Sequence, residues 1–125
     1  MIKTFILDPV AKPRMSRSDV WLLRPCVARY RAFCDELRLQ AKGMRFPEHG
    51  AWVIFRLPMP RGWSDRKKEA TAGEPHKTVP DVDNLVKSIF DALETDDRHI
   101  WDVRITKVWD HTGSIEIHTT KGGTS

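Results

Sequence analysis

Only two of the 125 residues are cysteine, and they form no C-x-x-C pair, which argues against a structural zinc site. Cys26 and Cys34 fall on one stretch of helical periodicity. Their eight-residue separation is roughly 12 Å along a helix axis, too far for a disulfide within one chain. The expectation is a reduced, cytoplasmic protein. No apolar run approaches the roughly 20 residues of a membrane-spanning helix. The opening "MIKTFILDPV" is too short, and too acidic at Asp8, for a signal peptide, and reads as a strand. There is no internal repeat and no low-complexity segment. The length suits one compact domain, 1–125, and not two.

Charge is present but unevenly spread. The formal net charge is +4, yet residues 1–80 carry 16 Lys/Arg against 8 Asp/Glu, and residues 81–125 carry 5 against 9. Solvated surface or chance gives such a split. So does a protein that holds phosphates on a basic body and cations on a local group of acids.

Hydrophobic spacing divides the chain into six elements. "IKTFIL" (2–7) reads as a strand, and the proline-rich stretch 8–25 as a long loop. Val27, Tyr30, Phe33, Cys34, Leu37 and Ala41 recur at steps of three and four, predicting an amphipathic helix that opens at Pro25 and ends by Gly43. "AWVIFRL" (51–57) reads as a strand that buries Trp52, Ile54 or their neighbours. Residues 58–80 hold four prolines and the basic tract Arg66, Lys67, Lys68, and read as a long, exposed, mobile loop. Val82, Leu85, Val86, Ile89 and Leu93 mark a second helix over 82–94. The stretch 99–109 alternates as a half-buried strand, "HTG" (111–113) as a turn, and "SIEIHTT" (114–120) as a last strand closing a hairpin. The tail 121–125 is expected to fray. The order β-α-β-α-β-β predicts an α+β (α/β-like) domain with a small mixed sheet and two helices.

The acids gather in "TVPDVDNLVKSIFDALETDDRHIW" (78–101). Asp81 precedes the second helix and Asp83 lies in its first turn, where the helix dipole favours carboxylates. Lys87 follows one turn later on the same face. Asp96 and Asp97 lie beyond the helix. Carboxylates converging on one point suit Mg²⁺, which takes oxygen ligands, keeps waters and shares a substrate phosphate. The alternative is ordinary structure: Asp81 as a cap, Asp83 with Lys87 as an i,i+4 ion pair, and "TDD" as a polar turn.

"VPDVDNLVKSIFDAL", with an acidic pair and a strand after it, resembles the RusA family of Holliday junction resolvases, common in prophages. The hallmark D-x-D-N-L-x-K-x-x-x-D-A-L stands here as Asp81, Asp83, Asn84, Leu85, Lys87, Asp91, Ala92 and Leu93, eight positions in thirteen. The stretch "AKPRMSRSDVW" is similar to the K-x-R-x-R-type segment of phage members. The resemblance implies a cytoplasmic, bacterial or phage-encoded, homodimeric, Mg²⁺-dependent endonuclease (Mn²⁺ substituting) that makes paired nicks across a four-way junction in recombination and repair. It implies metal ligation by Asp81, Asp83 and Asp97, with Asp96 as alternative, and an essential Lys87. Asp91 matches the motif as helix surface or support. The segment between "DAL" and the acidic pair is shorter here than is usual in the family, with only Glu94 and Thr95 between. Rival readings are a non-catalytic DNA-binding protein of the same fold, an enzyme acting on RNA or forked DNA, and an interaction domain whose acids are caps.

Other residues carry expectations of their own. Lys12, Arg14 and Arg17 in the first loop, and Arg66, Lys67, Lys68 and Lys77 in the long loop, are candidates for phosphate contacts, against a solvated surface. His76 is either a proton carrier or DNA contact, or simply exposed. Trp63 either stacks on a base or anchors its loop. Trp52 and Trp109 are expected in the core or an interface, and both cysteines as buried thiols.

Overall fold

The computed structural model describes residues 1–17 and 24–119. Among the described residues, four strands and three helices follow one another: β1 (Ile2–Phe5), α1 (Pro25–Ala41), β2 (Ala51–Pro58), α2 (Asp65–Thr71), α3 (Val82–Ala92), β3 (Val103–Asp110) and β4 (Ser114–His118). A single 3₁₀ turn, Asp97–His99, lies between α3 and β3. The predicted α+β class holds. The frayed tail predicted for 121–125 lies outside the described residues. No described helix is long and apolar enough to cross a membrane.

α1 forms as its spacing dictates. Pro25 opens it, and Val27, Tyr30, Phe33, Cys34, Leu37 and Ala41 are its buried residues. It ends where Lys42 turns left-handed, at φ 51°, ahead of Gly43 at φ 82°. α3 buries Leu85, Val86, Ile89, Phe90 and Ala92 against α1 and the sheet. Phe46 meets Phe90 edge to face at 5.2 Å, a favourable aromatic geometry. Cys34 is buried, but Cys26 is exposed, because it sits on the solvent side of the first turn of α1.

Strand pairing departs from the predicted hairpin. The sheet order is β1-β4-β2-β3. β4 pairs antiparallel with both β1 and β2, while β3 pairs parallel with β2. The β3–β4 connection therefore steps over β2. Burial is what places β4 there: Ile115 and Ile117 are fully buried, and that requires a central position with Phe5 and Phe55 beside them. The same connection brings Gly113 against the chain at Asp8. A Cβ at Gly113 would lie 2.2 Å from Asp8 Oδ1 and 2.7 Å from Asp8 Cα. Gly113→Ala is expected to destabilise the fold by about 2 kcal/mol, because the backbone of residue 8 must shift. Urea unfolding measures this.

Residues 58–80 are more than the loop expected: they hold α2 and pair with the edge of β3. Ser64 caps α2, its hydroxyl accepting the Lys67 amide at 3.2 Å. Residues 73–76 then run along the free edge of β3. The Gly73 amide donates to Trp109, that of Trp109 to Glu74, and that of His76 to Lys107. The edge strand is thereby covered. Trp109 organises this region. Trp63 lies 5.0 Å from its ring and His76 4.1 Å, and the Lys67 ammonium sits 4.0 Å over Trp63. Trp63 is thus a loop anchor. Trp52 and Trp109 are half-buried and not core. Trp52 lies on the sheet face that carries no helix, donating to Thr106 Oγ1 at 2.9 Å beneath the Arg104 guanidinium.

A candidate nuclease site around the third helix

The register of β3 sets the site. Ala51, Val53, Phe55 and Leu57 of β2 belong to the helix side of the sheet, and their partners on β3 are Val103, Ile105, Lys107 and Trp109. Lys107 is thus a lysine on the apolar side. Its ammonium reaches the carbonyls of Thr78 at 2.5 Å and Pro80 at 2.7 Å. These bonds tie the approach to α3 onto the sheet, directly before Asp81. The sequence reading missed Lys107. The available signal was its place in the alternation, level with Val103, Ile105 and Trp109. Lys107→Met is expected to cost about 1–2 kcal/mol, since two carbonyls lose a charged donor. Faster hydrogen exchange across residues 78–83 is the local readout.

Asp81 and Asp83 line one shallow recess with Lys77, Thr78, Val79, Val82 and Lys107. Asp81 occupies the N-cap position of α3, but its side chain makes no cap hydrogen bond. No ion pair forms between Asp83 and Lys87 among the described residues, so neither ordinary explanation for these acids is realised. Both carboxylates are exposed.

A second cleft runs along the outer face of α3. Asn84, Lys87 and Asp91 follow one another at steps of three and four and so share that face. Thr95, Asp96, Asp97, Lys12, Pro13 and Arg14 line the cleft with them. Its volume is about 580 Å³. Tyr30 donates its hydroxyl to Asp91 Oδ2, and the Lys12 ammonium lies 3.0 Å from the same oxygen. Burial, then the bond to Asp91, pushes the Tyr30 hydroxyl far above its ordinary range, so it remains a donor.

Asp96 and Asp97 differ in their commitments. Arg98 grips Asp96 with its Nε and Nη2 atoms, the shortest contact being 2.7 Å, and donates its own amide as well. These bonds push the Asp96 carboxyl down to about 2. Asp97 opens the 3₁₀ turn, and its carboxylate makes no hydrogen bond among the described residues. Of the alternatives Asp96 and Asp97, the second is the one with free oxygens.

The structure does not bring the expected ligands together. Among the described residues, no three His, Cys, Asp or Glu side chains are grouped closely enough to hold one metal ion. Glu94 turns the chain at φ 53° after α3, and Asp97 follows in the 3₁₀ turn, whereas Asp83 sits in the first turn of the helix. Lys87 joins Asp97 in the cleft and not Asp83 in the recess.

The basic candidates scatter as well. Lys12 and Arg14 line the cleft, Arg17 is exposed, Lys77 lines the recess, and Arg66, Lys67 and Lys68 ride on α2. His76 is not exposed: only 6 % of its surface is open, and its Nδ1 has no hydrogen-bond partner. Burial, then the charge of Lys107, lowers its pKa, which keeps it neutral at pH 7.

The model of the family described as endodeoxyribonuclease RusA matches residues 7–120, which contain both recesses. The chain belongs to the RusA family. No curated protein and no solved structure matches it. Membership places the chain among DNA endonucleases. Within that frame, the RusA motif residues divide by position. Leu85 and Ala92 hold α3 in the core, Asp91 anchors a neighbouring segment, and Asp81, Asp83, Asn84 and Lys87 face solvent or the cleft.

Proposed function

We propose that this RusA-family chain is a divalent-metal-dependent, structure-selective endonuclease that resolves four-way DNA junctions by paired nicks, acting as a homodimer. One observation carries this reading. Asp81 and Asp83 stand uncommitted beside Lys77 and Lys107 at the start of α3. The donor set fits Mg²⁺, which needs only one or two protein carboxylates with waters and a substrate phosphate; Mn²⁺ fits equally. When bound, such a cation supplies Lewis acidity and a more acidic water. Asp81 and Asp83 are its holders. Asp97, which lines the neighbouring cleft and makes no side-chain hydrogen bond among the described residues, is the third carboxylate in the proposal, and Asp96 is held back by Arg98.

The lysines serve the other partner. Lys77 offers charge to a phosphate in the recess, while Lys107 keeps the segment 78–80 in place. Lys87, free of any ion pair among the described residues, stabilises negative charge that develops on a phosphate in the cleft. Lys12, Arg14, Arg17, Arg66, Lys67 and Lys68 supply sequence-independent backbone contacts. A two-fold dimer presents each site twice, which matches a junction of like symmetry.

A non-catalytic branched-DNA binder is the second reading, favoured because no three acidic, His or Cys side chains group together among the described residues. Cleavage of four-way junction, fork and linear duplex in Mg²⁺, Mn²⁺ or chelator separates the two. Paired nicks in the junction alone, in either metal, are the expected result. Equal cutting of linear duplex sinks the selectivity, and binding without cutting in every metal favours the second reading. Junction affinity is expected to fall about 10³-fold between 50 and 200 mM salt for a site neutralising some six phosphates. A flat salt response would remove the basic residues from the interface.

A further inference from the structure

We propose that Asp91 is a positioning residue, which clamps the basic segment 12–14 across the outer face of α3 and does not ligate the cation. The proposal rests on the reading above, because that segment is one wall of the DNA cleft. Asp91 joins three parts of the fold at one oxygen. Tyr30, on the buried face of α1, donates its hydroxyl to Oδ2, and Lys12 places its ammonium 3.0 Å from that atom.

The segment has two further ties. The Lys12 amide donates to the Asn84 carbonyl at 3.0 Å, and Arg24 Nη2 donates to the Arg14 carbonyl at 2.8 Å. Lys12 is thereby held at its backbone by the first turn of α3 and at its ammonium by the last. Arg14 follows, lining the cleft with Asn84 and Lys87. A wall fixed in advance loses less conformational freedom when DNA arrives.

Asp91 is badly placed for ligation. It lies about two helical turns, roughly 12 Å, beyond Asp83 along the axis. Its Oδ2 already accepts from a neutral donor and a cation, so bidentate ligation of a metal ion would have to displace them. Tyr30 stays protonated because it is buried, so that donor is permanent.

Limited trypsin digestion of the metal-free protein tests the clamp without any activity. The Lys12–Pro13 bond resists trypsin, so the bond after Arg14 reports on the segment. Asp91→Asn keeps an acceptor for Tyr30 and removes the charge that holds Lys12. It should speed cleavage after Arg14 about fivefold, in line with a half-exposed ion pair. Lys12→Met breaks the pair from the other side, on the surface, and should give the same increase. The double variant should be no faster than either single one, and Asp91→Glu should recover most of the protection.

On junction DNA, Asp91→Asn should weaken binding about fivefold while the Mg²⁺ concentration for half-maximal cleavage stays put. Unchanged digestion in both single variants overturns the clamp, and so does a raised Mg²⁺ requirement, which would make Asp91 a ligand. If the chain cuts no DNA at all, the nuclease reading fails while the digestion result still decides the clamp.

Discussion

Asp83→Asn is expected to abolish metal-dependent junction cleavage, with a loss on the order of 10³-fold, about 4 kcal/mol of transition-state stabilisation. The fold should barely notice. Asp83 is exposed in the first turn of α3 and makes no hydrogen bond or ion pair among the described residues, so only its favourable interaction with the helix dipole is lost, about 0.3–1 kcal/mol. DNA binding should hold or tighten, since one negative charge leaves a basic surface. The comparison with Asp96→Asn is the sharper part. Asp96 is consumed by Arg98, so that variant should unsettle the 3₁₀ turn and leave most of the activity. Single-turnover cleavage beside gel-shift affinity measures both. Cleavage by Asp83→Asn at the normal rate would move the chemistry away from the start of α3.

Ile89→Ala is expected to destabilise the protein by about 3–4 kcal/mol, through lost burial and the cavity left behind. Ile89 is fully buried, on the α3 face that packs into the core, two residues from both Lys87 and Asp91. α3 carries the motif outward only because this inner face anchors it. A melting temperature about 10 °C lower is the corresponding shift for a chain of this size. Activity at low temperature should survive, because the outer face is untouched. A loss below about 1 kcal/mol would mean that α3 is held by something other than its core contacts.

The helices were the most legible part of the sequence. The six buried residues of α1 are those that its spacing picked out, because a helix repeats over four residues and carries its own pattern. α2 was hidden by its size and polarity. It has seven residues, none buried, and rests on a Ser64 cap that composition alone does not advertise among prolines. In β3 the alternation was legible, but Lys107 went unread as an inward residue, because a lysine on the apolar side makes sense only once the Thr78 and Pro80 carbonyls are beside it. His76 looked like a loop histidine until residues 73–76 covered the edge of β3 and brought it onto Trp109.

By itself the sequence determined the two long helices, the mixed α+β class and the motif of Asp81, Asp83, Asn84 and Lys87, all of which depend on residues a few positions apart. Tertiary structure alone decided that β4 lies between β1 and β2, that Asp91 is held by Tyr30 and Lys12, and that Asp97 lines the cleft with Lys87 while Asp83 lines the recess. Those facts follow from burial and pairing between residues far apart in the chain. One-dimensional spacing carries no record of which distant partner wins.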